Sequence, residues 1–160
     1  MIITDPANPG FNSYASEADL VAFADVRDIE LPEKIGSLLI KSMDYLEGLD
    51  WVGQKADPGQ PLAWPRVNVV MDGYDFPPDV VPRQAITAQC MLAVEAIEGD
   101  LLSSVREAAV KTERVEGAVT MTYAVAEGEV FTPSYPAVVA ILGDLAGGRG
   151  YAINTFAERA

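Results

Sequence analysis

A chain of 160 residues, 49% hydrophobic and 22% charged, has globular composition and the length of one domain, which excludes an intrinsically disordered protein. No apolar run approaches the roughly 20 residues that span a bilayer, and Met1-Ile-Ile-Thr-Asp-Pro6 lacks the basic flank of a signal peptide, so a soluble, intracellular protein is expected. Eleven basic against 24 acidic residues give a formal charge of −13, a balance that opposes nucleic-acid binding led by phosphate contacts.

Residues 1–15, with Asp5-Pro6, Asn8-Pro9-Gly10 and Asn12-Ser13, read as a flexible, irregular N-terminal arm. Ser16 and Asp19 have capping-box spacing, and Leu20, Phe23 and Ala24 supply one face of a short helix over 17–26. Pro32 and Glu33 suit the start of a second helix, 33–49, in which Ile35, Leu38, Leu39, Ser42, Leu46 and Leu49 recur at helical spacing.

The segment from Trp51 to Arg66 holds both tryptophans of the chain and Pro58, Pro61 and Pro65. Proline fixes φ and lacks an N–H, so the segment reads as an irregular loop folded back over the neighbouring helices, with Trp51 and Trp64 as apolar anchors. Arg66 has three roles open to it: stacking on an indole, pairing with an acidic helix face, or lying along the surface as a snorkelling side chain. Val67–Met71 is a short extended run, followed by loop chemistry at Asp72-Gly73-Tyr74-Asp75 and Phe76-Pro77-Pro78.

Pro82 opens the longest helix, 82–98, with a main stripe of Ile86, Cys90, Ala93, Val94, Ile97 and Leu101. Ala85, Ala88, Met91, Leu92 and Ala96 widen that stripe, which places the helix at the centre of a bundle or at a subunit interface. Cys90, the single cysteine, excludes an internal disulfide and reads as a small buried hydrophobe. Beyond about residue 108 the period changes to two, and residues 109–125 read as a β-hairpin reversing near Glu116-Gly117. Ser134 and Pro136 start a last short helix that Gly147-Gly148 ends, leaving 147–160 as a C-terminal tail. The expected architecture is mainly α: a small helical bundle over 16–146 with one β-hairpin.

Catalytic equipment is scarce. The absence of histidine removes Ser-His-Asp and Cys-His systems and the commonest metal ligand. Asp72, Asp75 and Asp79 cluster in a Gly/Pro-rich loop, but they lack the central glycine and closing glutamate of an EF-hand loop and read as solvated turn residues. Gly147-Gly148-Arg149-Gly150 follows a helix instead of joining a strand to one, so it reads as a helix stop and not a phosphate cradle. Neither an enzyme nor a bound cofactor or metal is expected.

The order Lys41-Ser-Met-Asp-Tyr45-Leu46, Trp51-x-Gly53-x-Lys55, Gln60-x-Leu62-x-Trp64-Pro65-Arg66, then Glu113-Arg114-Val115-x-Gly117 and Thr122-Tyr123 resembles a phage and prophage family. That family is catalogued as DnaT-like single-stranded-DNA-binding proteins, and its members are similar to head-tail connector (adaptor) proteins of tailed phages. The resemblance implies a structural virion protein: a homo-oligomeric, twelve-fold ring beneath the portal protein that receives a neck or tail-completion protein. Genomic DNA would pass through the lumen without specific binding, in the phage neck after assembly and in the host cytoplasm before it. On this reading Trp51, Gly53, Gln60, Trp64, Pro65 and Arg66 form the interface or structural motif, and Tyr151, Phe156 and Arg159 the portal-docking tail. The alternative takes the catalogue name literally, as a replication protein that binds single strands, with Trp51, Trp64 and Tyr74 as stacking residues beside Lys55 and Arg66.

Overall fold

Helical periodicity and end signals determine where this chain coils. In the computed structural model, which describes residues 1–102 and 135–146, α1 spans Glu17–Asp25, α2 Ile35–Glu47, α3 Arg83–Glu98 and α4 Pro136–Leu142. A single 3-10 turn, Gly143–Leu145, continues α4. The Ser16–Asp19 capping box forms in full: the Asp19 amide donates to Ser16 Oγ at 3.1 Å, and the Ser16 amide to Asp19 Oδ2 at 2.8 Å. Asp28, with φ at 53°, turns the chain out of α1 so that the Ile29 amide reaches Ala24 O at 3.1 Å.

The architecture is a small, mainly α bundle with two short antiparallel β-hairpins among the described residues. In the first, β1 (Gln54–Lys55) pairs with β2 (Arg66–Val67); in the second, β3 (Val70–Met71) pairs with β4 (Tyr74–Asp75). The loop from Trp51 to Arg66 is therefore bracketed by a two-residue ladder, and the extended run after Arg66 is the near arm of a second one. Pairs this short leave no period-two signal in the sequence. Left-handed residues help position them: Asp72 (52°) and Gly73 (83°) form the bend of the second hairpin, and Asn68 (58°) lies in the link between the two. The hairpin expected at 109–125 lies outside the described residues.

The chain divides into two compact units, Met1–Leu101 with Tyr135–Ala160, and Leu102–Ser134. In the first unit α3 packs against α1, α2 and α4, so it occupies the centre of the bundle. Its buried face matches the stripe expected from the sequence in part, at its small residues and at Leu92 and Leu101. Ala85, Ala88, Gln89, Cys90, Leu92, Ala93 and Ala96 are buried, whereas Ile97 is exposed and Ile86, Met91 and Val94 are half-buried. Small side chains let three helices approach one axis, and the bulkier β-branched residues are displaced to its flanks.

Residues 1–15 carry no helix or strand, yet Phe11, Tyr14 and Ala15 belong to the core. The stretch is fastened internally by Asn12, whose Oδ1 accepts the Ile3 amide at 2.9 Å and whose Nδ2 donates to Met1 O at 3.1 Å. It is fastened to the bundle by Gln89, a side chain at 0% exposure inside the otherwise apolar face of α3. Gln89 Oε1 accepts the Ala15 amide at 2.6 Å, and its Nε2 donates to Ser13 Oγ at 2.7 Å and Leu39 O at 3.1 Å. Among the described residues no helix is long and apolar enough to cross a membrane.

Cys90 is 2% exposed, and burial, followed by the nearby Asp19 charge, pushes its thiol up to about 11. Its folded value thus lies above its unfolded one, so the neutral thiol supports the fold fully below about pH 9 and that support is lost as the pH rises to about 11. Two results are expected. A disulfide reagent at pH 8 should label Cys90 only as fast as the protein unfolds, and Cys90→Ala should flatten the stability profile between those pH values. Rapid stoichiometric labelling of the native protein would contradict this placement.

Candidate functional site

The residues singled out in the sequence converge on one knot beside the C-terminal end of α2. Arg66 is its centre. Its Nε donates to Val52 O, Nη1 to Ala63 O at 3.1 Å, and Nη2 to Trp51 O at 3.2 Å and Gly53 O at 2.8 Å. Four of the five guanidinium N–H groups are thereby spent on backbone carbonyls. Of the three roles open to Arg66 in the sequence, none is adopted: it acts as a staple between the two sides of the loop. Burial pulls its pKa below the ordinary arginine value, while Tyr14 and Glu47 act in the opposite direction.

Gln60 is a second staple, placed within the loop itself. Its Nε2 faces Leu62 O at 2.8 Å, Ala63 O at 3.2 Å and Pro65 O at 2.9 Å, and its Oε1 accepts the Asp57 amide at 3.0 Å. The Trp64–Pro65 peptide is cis. Gly53 has φ at 68°, and a Cβ there would run into Val67 O and lie 2.7 Å from Val69 Cγ2, so any other residue at this position would push β1 away from β2.

Trp64 is fully buried, with Trp51 and Phe76 set edge-on to it at ring-centroid distances of 5.8 and 5.9 Å. Its Nε1 is buried without a hydrogen-bond partner among the described residues. Trp51 is half-buried and donates Nε1 to Leu46 O at 3.0 Å, which ties the loop to α2. Its backbone bridges to Ala146, and the Val52 amide donates to Leu145 O at 3.0 Å, so the turn after α4 is fastened to the same loop.

Two side chains with no role apparent in the sequence complete the knot. Tyr14 Oη donates to Glu47 Oε1 at 2.7 Å and accepts the Trp64 amide at 3.2 Å, and the Ala63 amide donates to Glu47 Oε1 at 3.0 Å. Burial first, and Glu47 second, raise the Tyr14 pKa far above that of a free phenol, so the hydroxyl stays protonated. A tyrosine at the end of an irregular arm and a glutamate at the end of a helix carry no spacing signal. Their meeting depends on tertiary structure alone.

Trp51, Gly53, Gln60, Trp64, Pro65 and Arg66 thus come together, but as a scaffold in which the polar side-chain atoms of Trp51, Gln60 and Arg66 are engaged internally. Tyr151, Phe156 and Arg159 lie outside the described residues. Among the described residues no group of three histidine, cysteine, aspartate or glutamate side chains is disposed to hold a metal ion, and Asp72, Asp75 and Asp79 form no such cluster.

The outward-facing feature next to the knot is the β3–β4 hairpin. It is anchored at its base by Val69, which is buried and whose carbonyl accepts the Phe76 amide at 2.8 Å, and by Phe76 on Trp64. At its tip, Tyr74 is 78% exposed. Lys55, on β1, is also exposed and reaches Gln60 O at 3.4 Å.

The model of the family described as "Putative DnaT-like ssDNA binding protein" matches residues 1–160. No curated protein and no solved structure matches the chain. The family match overturns the head-tail connector reading, because the family is described by single-stranded DNA and not by capsid assembly. The likeness to connector proteins is not shown, and with it fall the ring, the portal and neck partners, the virion role and the passive DNA channel. A physical reason accompanies the correction. The apolar surface that favours assembly is largely that of α3, and α1, α2 and α4 cover it within one chain.

Proposed function

The chain belongs to this DnaT-like family, and from that premise we propose that it binds single-stranded DNA, acting by binding without catalysing a reaction. The observation that carries the reading is the family match over residues 1–160. The described surface adds a constraint on how such binding works. Of the six basic residues there, Arg66 is spent on carbonyls, Lys41 pairs with Asp100 at 2.9 Å, and Arg27 lies 3.7 Å from the Phe23 ring centre, which leaves Lys34, Lys55 and Arg83 exposed. Against these stand many exposed carboxylates and a net charge of −13.

The described residues offer few available Lys and Arg, so phosphate contacts there are not the main source of affinity in this reading. Contact with the bases remains. In a duplex the base faces are hidden in the stack, whereas a single strand presents them, so base-led binding selects single strands without a positive groove.

The test is fluorescence anisotropy with a labelled oligothymidylate of about 16 nucleotides, a length within the range that single-strand-binding modules cover, and with the corresponding duplex. The single strand should bind and the duplex should not. The slope of log affinity against log salt should be shallow, equivalent to only about one or two neutralised phosphates. Failure to bind the single strand at low salt, or equal binding of both forms, would sink the reading.

A further inference from the structure

Resting on the single-strand-binding reading, we infer that Tyr74, at the tip of the β3–β4 hairpin, is the residue on which a base stacks. Base stacking needs an aromatic ring with an open face, held on a support firm enough that little freedom is lost on binding. Nine of the described residues are aromatic, and eight of them are already engaged. Phe11 lies against Tyr14, Tyr45 against Tyr135, and Trp51 and Phe76 against Trp64, while the Arg27 guanidinium covers Phe23. Tyr74 has no ring or hydrogen-bond partner among the described residues, and it is the one aromatic side chain there that is exposed outright.

Its support meets the second requirement. Tyr74 pairs with Met71, and the two residues between them, Asp72 and Gly73, both adopt the positive φ that suits a two-residue hairpin bend. Below the tip, Val69 and Phe76 run into the core against Trp64, so the rigidity of the knot is transmitted to the ring. This assigns different tasks to the three aromatic residues that composition alone makes equivalent. Trp64 has no accessible face, Trp51 is committed to Leu46 and Trp64, and Tyr74 is without a ring partner among the described residues.

The same tip explains how an acidic protein selects bases over phosphates. Asp72 and Asp75 flank the ring in sequence, and both are exposed. A strand approaching Tyr74 is repelled through its backbone and attracted through its bases, which orients the bases inward.

The experiment compares wild type, Tyr74→Phe and Tyr74→Ala in the oligothymidylate anisotropy assay, with circular dichroism melts to establish that all three fold alike. An exposed side chain with no partner should alter stability little. Tyr74→Phe keeps the ring and should bind as wild type does, whereas Tyr74→Ala should lose about 5- to 150-fold in affinity, the range of one lost base–aromatic stack. Tryptophan emission should stay unchanged on binding, because neither indole meets a base. Wild-type binding that Tyr74→Ala leaves intact would overturn this inference alone, as would strong tryptophan quenching in that variant. Absence of wild-type binding would remove the functional reading together with it.

Discussion

Replacing Trp64 with alanine should destabilise the protein by about 3–5 kcal/mol, the largest single-residue effect expected in the fold. The indole is at 0% exposure and makes edge-to-face contacts with Trp51 and Phe76. Its loss would empty the space between the loop, the bundle and the base of the second hairpin. Collapse to fill that space is obstructed, because Arg66 and Gln60 hold the loop carbonyls in place. Native domains have about 5–15 kcal/mol in total, so the variant should sit close to unfolding at room temperature. Trp64→Phe should cost much less, since it keeps a ring and removes an indole N–H that has no partner among the described residues. Urea denaturation of the three proteins measures both differences. A Trp64→Ala midpoint within experimental error of wild type would show that the knot does not hold the core together.

The second large effect belongs to Gln89. Gln89→Leu preserves approximate volume and increases apolarity, so a purely hydrophobic account of α3 predicts a gain in stability. The hydrogen-bond geometry predicts a loss of about 2–5 kcal/mol. Leucine would leave the Ala15 amide without its acceptor, and Ser13 Oγ and Leu39 O without the donor they share, at sites closed to water. Ser13→Ala should interact with it: the double variant should lose less than the sum of the two singles, because both remove one shared bond. Neutral or stabilising behaviour of Gln89→Leu in thermal melts would refute the network's role.

These two residues also mark what the sequence discloses and what it conceals. Helices are legible because their signals are local: Ser16 and Asp19 at capping spacing, Pro82 just ahead of α3, Pro136 at the first position of α4. Trp64 and its loop are legible as an anchor, since two indoles amid prolines have few other uses. Gln89 is concealed because one polar residue hardly perturbs an apolar stripe, and its partners lie 50 to 76 positions away. The four strands are hidden by their two-residue length.

Function is legible only through resemblance, and there incompletely. The motif from Gln60 to Arg66 points to the correct family, yet those residues prove to be architecture, with few atoms left for a ligand. Net charge speaks against phosphate-led binding, but it sums over the whole chain and is silent on a contact made by a single side chain. Tyr74 is legible as a candidate for stacking in type, but not in preference to the tryptophans. Exposure separates them, and exposure is a property of the fold.

The fastening of Leu145 to Val52 and of Ala146 to Trp51 has a topological consequence. The polypeptide leaves the first unit after Leu101 and rejoins it at Tyr135, so covalent continuity between those points is not what holds α4 on α3. A backbone cut anywhere in the intervening stretch would turn a unimolecular fold into a two-fragment complex. Its assembly would then depend on concentration, and the piece bearing α4 would be exchangeable for a fresh copy.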